Sequence, residues 1–233
     1  MARSADTRER LIAAAEELFA ANGIQAVSLR EIVRASGARN TAALQYHFGD
    51  RAGLVRAILE KHDLDVDIRR DTLLDAYEAA GERDLWTLAN ALVQPLGAQL
   101  AEPDGGPAYL QILAELMNQP QQALDSALLE DSAGSMLRWR ALVAPLLSED
   151  ALRLHRRFVV LRFAVVELAR RADTAPHTDD RLFVSHLVDL TAALLAAPPS
   201  SHTLRLAEAR DEARGAPAAA IRTGLPRSRT YRS

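Results

Sequence analysis

The chain contains no cysteine, which excludes disulfides, thiolate metal ligands and a thiol nucleophile together. Aromatic residues make up only 5% of it, and glycine and proline cluster at a few breaks instead of scattering through the periodic segments. No apolar run suits a membrane span: the longest, Phe158 to Ala169, is interrupted by Arg162 and Glu167. The first ten residues carry Asp6 and Glu9 and lack the apolar stretch of a secretory leader. The expected location is therefore the cytoplasm, away from the membrane. Signatures of catalysis are missing as well. There is no HExxH pattern, nucleophile elbow or phosphate loop, and outside the first fifty residues His62, His155, His177, His186 and His202 stand scattered. No catalytic residue, no metal site and no cofactor is expected, so an enzyme reading has little to stand on.

What is present favours helices. Hydrophobic residues are 48% of the chain, and Ala, Leu, Arg and Glu recur throughout. The net charge of -3 hides an asymmetry. Residues 1–61 hold nine Lys/Arg against seven Asp/Glu, residues 62–197 hold 12 against 21, and residues 198–233 hold seven against three. A mildly basic head, an acidic body and a basic tail suit a molecule in which only the head must approach phosphates.

From Thr7, the residues Leu11, Ala15, Leu18 and Phe19, with Ile12 beside them, share one helical face until Asn22-Gly23 ends the run. Ser28 then precedes Leu29-Arg30-Glu31-Ile32-Val33 with Glu31 three residues on, the spacing of a capping box. This short second helix stops at Ser36-Gly37. A third over Thr41 to Phe48 places Leu44 and Phe48 on one face and Thr41, Gln45 and Tyr46 largely on another. Gly49-Asp50 breaks it, and Asp50 caps a fourth helix from Arg51 with Leu54, Val55, Ile58 and Leu59 as its buried stripe.

Beyond Asp63 the pattern is helical without competing strand alternation, with breaks at Gly81, at residues 103–107, at residues 118–120, near Pro145 and at Ala175-Pro176. The segments Asp150 to Ala172 and Asp180 to Ala197 are each expected to form one helix, apolar on two sides. Such helices need cover on both flanks, which a twofold four-helix interface would give. After Pro198-Pro199 the composition turns to Ser, Pro, Ala and Arg, and the tail is expected to be disordered except for at most a short helix around Leu204 to Arg214. The expected fold class is all-α: a three-helix helix-turn-helix domain at 1–49, a larger helical ligand-binding and dimerisation domain at 50–197 with a connecting helix at 50–62, and a basic tail at 198–233.

Three short helices with a glycine turn between the second and third make a helix-turn-helix, whose last helix suits the major groove. The run Ser28-Leu29-Arg30-Glu31-Ile32-Val33-Arg34-Ala35-Ser36-Gly37, followed by Leu44-Gln45-Tyr46-His47-Phe48-Gly49-Asp50-Arg51-Ala52-Gly53-Leu54, resembles the signature of the TetR/AcrR family of transcriptional regulators. The resemblance implies that Ser28 caps the second helix and donates to a phosphate, that Tyr46 and His47 press on the DNA backbone, and that Arg51 adds a charged contact where lysine is common. Two departures stand out. One more residue than usual separates Gly37 from Leu44, and Gln45 sits where the family often has tyrosine. The division of base contacts among Arg39, Asn40, Thr41 and Gln45 is thus left open.

In the body, Trp86, Tyr109, Met117, Trp139, Phe158 and Phe163 are candidates to line a ligand cavity, with ordinary core as the alternative for each. The partners expected are double-stranded operator DNA, a second copy of the chain in a homodimer, and a small-molecule effector that releases a repressor from its operator. A purely architectural DNA-binding protein would not need an acidic body three times the size of its reading head.

Overall fold

The structure, a computed structural model, describes residues 2–38, 40–81, 83–118, 134–174 and 177–215. Among these, all regular elements are helical. Helices α1 (Ala2–Asn22), α2 (Leu29–Ala35) and α3 (Ala42–Phe48) form the head, and α4 (Arg51–Ala80) leads out of it. Then come α5 (Leu85–Gly97), a 3-10 turn at Ala98–Ala101, α6 (Gly106–Met117), α7 (Ser135–Val143), a 3-10 turn at Ala144–Leu146, α8 (Glu149–Arg153), α9 (Arg156–Ala172), α10 (Arg181–Ala196) and α11 (Ser201–Gly215). Residues 1–197 and 198–233 form two separate units.

The head is held by apolar side chains that the helical spacing brings to one side. Leu11, Ala15 and Phe19 of α1 pack with Ile32 and Val33 of α2, Leu44 of α3 and Leu54 and Ile58 of α4, all buried. Each fully buried Leu, Ile or Phe contributes about 1.5–3 kcal/mol relative to exposure. In the body α5 is the most enclosed helix, with Leu88, Ala89, Ala91, Leu92, Val93 and Leu96 buried and only the narrow side of Trp86, Thr87, Asn90 and Gln94 toward solvent. Its sides are covered by α4, α7, α9 and α10, while α6 packs against α9 and against α1 of the head.

Three features depart from the sequence reading. The fourth helix does not end near residue 62 but runs for 30 residues to Ala80, where Gly81 caps it at φ 67°. The segment from Asp150 to Ala172 is not one helix. It breaks at Leu154 and His155, the latter at φ 55°, and restarts as α9. The new start is anchored by Arg156, whose guanidinium donates to the carbonyls of Leu194 (3.3 Å) and Ala197, acceptors left free at the end of α10. In the tail, helix Ser201–Gly215 is longer than the expected Leu204 to Arg214. Residues 216–233 lie outside the described residues, as do the expected breaks at Gln119-Pro120 and Ala175-Pro176.

Candidate nucleic-acid interface

Ser28 has the extended backbone of an N-cap, and both halves of the capping box are formed. Its hydroxyl accepts from the Glu31 amide at 3.3 Å and its own amide donates to Glu31 Oε2 at 2.7 Å. These hydrogen bonds with Ser28, aided by the charge of Arg34, hold the Glu31 carboxyl below its ordinary value. The far end of α2 closes in a Schellman turn. Gly37 at φ 70° donates to Arg34 O at 3.2 Å, and Ala38 donates to Val33 O at 3.2 Å. Only a residue that tolerates the left-handed region fits there, which fixes how α2 ends. Arg10 of α1 steadies the turn by donating to Ser36 O at 3.4 Å.

The chemical cap of α3 is Asn40. Its Oδ1 accepts from the amides of Ala42 (3.0 Å) and Ala43 (3.3 Å), whereas Thr41 makes no side-chain cap bond. The Asn40 amide nitrogen is left to donate outward. Leu44 is 1% exposed and faces the core, which turns Thr41, Gln45 and Tyr46 to solvent. Tyr46 is 83% exposed, too much for a packing role. His47 is half-buried beside it, ring centroids 5.1 Å apart and edge-on. Phe48 closes the base of the helix under the guanidinium of Arg8, 5.6 Å from the ring. Arg39 lies outside the described residues.

Asp50 caps α4 through Gly53 N at 2.8 Å. Arg51, expected to add a charged contact, also has an attachment inside the protein: its Nη1 donates to Ile24 O at 2.6 Å. The amide of Ile24 is accepted in turn by both oxygens of Glu115, at 2.9 and 3.1 Å. One residue of the α1–α2 loop is thus tied to the first turn of α4 and to α6 in the body.

A second joint lies deeper. Glu16 of α1 accepts from His62 Nε2 at 2.9 Å and from Lys61 Nζ at 2.9 Å. Lys61 also reaches Asp104 at 2.9 Å, and His62 Nδ1 meets Gln99 Oε1 at 3.0 Å. The amide of Gln99 donates to Asp65 at 3.2 Å. Burial opposes the charge on Lys61, but its bonds to Asp104 and Glu16 prevail and raise its pKa. At Gly105, φ 87°, a Cβ would stand 2.3 Å from Glu16 Oε2, so the loop before α6 approaches this carboxylate as only glycine can.

Residues 11–58, from the middle of α1 to the second turn of α4, match the model of the bacterial regulatory proteins of the tetR family. That stretch, the head and the start of α4, is what the chain shares with the tetR family. Over 103 residues the chain is 29% identical to the HTH-type transcriptional regulator SrpR of Pseudomonas putida, a stretch that covers 43% of this chain and 46% of that protein. It is equally similar, 29% over 103 residues, to the uncharacterized HTH-type transcriptional regulator TtgW, also of Pseudomonas putida, covering 43% of this chain and 74% of that protein. The chain thus spans less than half the length of the first of these relatives. A crystal structure of a Rhodococcus sp. chain described as a TetR-family transcriptional regulator covers 89% of this chain and 98% of its own at 17% identity and a TM-score of 0.41, too low a likeness to bear weight.

Some features of this TetR-family head escape a reading by motif. Arg30 and Arg34 of α2 are exposed and make no salt bridge among the described residues, so α2 carries two cations in the head. The signal was in the capping-box run itself, whose polar positions are arginines. Glu16, 2% exposed, was legible as a carboxylate on the apolar face that Ile12, Ala15 and Phe19 define.

The six ligand candidates in the body do not converge. Trp86 is 48% exposed and donates to Asp189 of α10 at 2.8 Å, on the surface. Met117 is buried in the core, and Phe163 is partly buried against it. Tyr109 is 1% exposed, stacks on His62 at 4.8 Å and donates to Asp63 at 2.7 Å, as part of a buried polar cluster with Arg70, Asp67 and Ser135. Burial pushes the Asp63 carboxyl up to about 6, against the hydrogen bond from Tyr109 and with help from the charge of Asp67. Trp139 and Phe158 alone come together, in a cleft of about 150 Å³ with Leu161, Arg140 and Arg157.

Proposed function

We propose that the chain acts as a homodimeric repressor of transcription, with α3 reading operator DNA in the major groove and the helical body releasing the operator when it binds a small molecule. The observation that carries this reading is the outward face of α3. Thr41, Gln45 and Tyr46 are exposed over the buried Leu44, at a helix capped by Asn40 at its start and followed at its end by the Asp50 cap of α4. Hydroxyl, amide and phenol groups so presented match the donors and acceptors of base edges and phosphates. Gln45 is the base reader and Asn40 a second donor. Tyr46, His47, Arg51 and the hydroxyl of Ser28 position the head on the backbone, joined by Arg30 and Arg34.

A homodimer is supported by apolar surface left over in the protomer. On α10, Leu182, Leu190 and Leu194 are 83%, 41% and 37% exposed, and Val159 on α9 is 47% exposed. Two copies facing each other through these helices would set the two reading heads about 34–36 Å apart, or a multiple of it, on one face of the duplex. Release follows if the effector favours a body conformation with different head spacing. The ties from Glu115 to Ile24 and from His62 to Glu16 would carry that change, since each joins a body element or α4 directly to α1 or its loop. The proposed place of work is the cytoplasm, where the operator is; among the described residues no single helix is long and apolar enough to cross a membrane.

The test is a gel shift of DNA from upstream of the chain's own coding sequence against unrelated DNA of equal length, at two salt concentrations. A specific, salt-sensitive shift is expected. An equal shift of both DNAs would favour a sequence-blind architectural role, and no shift of either would end the DNA-binding reading.

A further inference from the structure

The cleft between α7, α8 and the start of α9 is lined, among the described residues, by two cations and no anion. Arg140 lies on α7 and Arg157 in the first turn of α9, and they are tied together because Arg157 Nη1 donates to the Arg140 carbonyl at 3.2 Å. Neither forms a salt bridge among the described residues. On α8, Asp150 is paired with Arg153 at 3.2 Å. Burial, and then the like charge of Arg157, push the pKa of Arg140 down. The site is therefore short of negative charge.

The other walls are apolar and aromatic. Trp139 is 1% exposed, its ring fixed by donation to Leu88 O at 2.7 Å. Phe158 stands 37% exposed with Arg162 over its ring at 5.6 Å, and Leu152 and Leu161 complete the lining. His155, in the left-handed region at the break before α9, adds a polar ring at the rim. A volume of about 150 Å³ is what a single benzene-sized ring requires.

We infer that this cleft binds a small carboxylic acid built on one aromatic ring, with the carboxylate between Arg140 and Arg157 and the ring against Trp139 and Phe158. The inference rests on the reading of the body as an effector sensor, and it names the class of effector. Planar guanidinium groups match a carboxylate through paired charge-assisted hydrogen bonds, and the aromatic walls favour offset or edge-on ring contacts over an aliphatic chain. A neutral amide of the same shape keeps the ring contacts and loses the charge. An amine meets two cations and is excluded.

Benzoate, benzamide and benzylamine titrated into the full chain by calorimetry test this, with Arg140→Gln, Arg157→Gln and Phe158→Ala as variants and circular dichroism melts as the folding control. Benzoate should bind, benzamide about tenfold more weakly or worse, and benzylamine not at all. Each Arg→Gln change should weaken benzoate about tenfold and leave benzamide where it was, while Phe158→Ala should weaken both. If Arg157→Gln fails to fold because its brace to Arg140 is lost, Arg140→Gln decides alone. Benzoate that does not bind, or that binds equally well to Arg140→Gln, overturns the assignment. An operator gel shift of the same protein without benzoate is run in parallel. A specific shift without benzoate binding removes the cleft proposal only, whereas a missing shift removes the regulatory reading whatever benzoate does.

Discussion

Glu16 and His62 meet through Oε1 and Nε2 at 2.9 Å, with their side chains 2% and 3% exposed. One residue belongs to the first helix of the head and the other to the helix that leaves it. Because Glu16 also takes Lys61, and His62 also takes Gln99, the contact joins α1, α4 and the turn after α5. A buried carboxylate in such a position has no water to fall back on, so head and body keep one relative placement as long as the cluster is intact.

Replacing Glu16 by Ala leaves Lys61 and His62 without their shared acceptor. Breaking a buried charged pair from one side costs about 3–5 kcal/mol, so the melting temperature should fall by several degrees. A thermal melt of the variant checks this, and a melt within a degree of the parent would mean that the cluster contributes little.

Asp63 gives a pH signature of opposite sign to an ordinary ion-paired carboxylate. Its folded pKa of about 6 stands above the ordinary value of 3.8, so this group favours the folded state at low pH and loses that contribution as pH rises from 3.8 to 6. The full difference is at most about 3 kcal/mol. Asp63→Asn, which still accepts from Tyr109, should therefore melt higher than the parent at pH 7.5 and no higher at pH 4. Denaturant titrations at the two pH values measure it; a variant less stable at pH 7.5 would contradict the assignment.

Much of the head can be read from sequence because its signals are local. The Ser28–Glu31 box, the Gly37 turn and the Leu44 face each depend on residues within a few positions, and each is where the spacing put it. What escaped depends on contacts distant in sequence. Arg51 reads as a free cation until Ile24 O, 27 residues away, is seen to hold it. Glu16 and His62 are 46 residues apart. The break at His155 carries no proline or glycine to announce it, and Trp86 differs from Trp139 in burial for reasons of packing alone. Leu187, on the helix expected to be apolar on two sides and to face a second copy, is 2% exposed inside its own protomer.

That last distinction separates two classes of variant. Leu190→Glu with Leu194→Glu should keep the helical melt, yield monomers in sedimentation and abolish operator binding, because both side chains are exposed in the protomer. Leu187→Glu should unfold the chain, since it places a carboxylate in the core. A double variant that stays dimeric would place the interface elsewhere.

The capping box supplies a smaller effect. Ser28→Ala removes the acceptor for Glu31 N and should cost about 1 kcal/mol of stability, seen as a lower midpoint in urea with unchanged slope. Operator affinity should fall by more than the stability loss explains if the hydroxyl also meets a phosphate.

The claim that α3 reads bases while α2 and the start of α4 hold the backbone is tested most directly by competition binding of four variants against an operator library at two salt concentrations. Gln45→Ala should lose about 1–3 kcal/mol per half-site and relax the preference at one base position, with the salt dependence unchanged. Arg34→Ala should weaken all sequences alike and reduce the salt slope by about one charge per half-site. Arg51→Ala should lose stability along with affinity, because its guanidinium also braces Ile24. If Gln45→Ala keeps the full preference while Asn40→Ala loses it, the reading face is not the one that Leu44 turns outward, and the account is wrong at its centre.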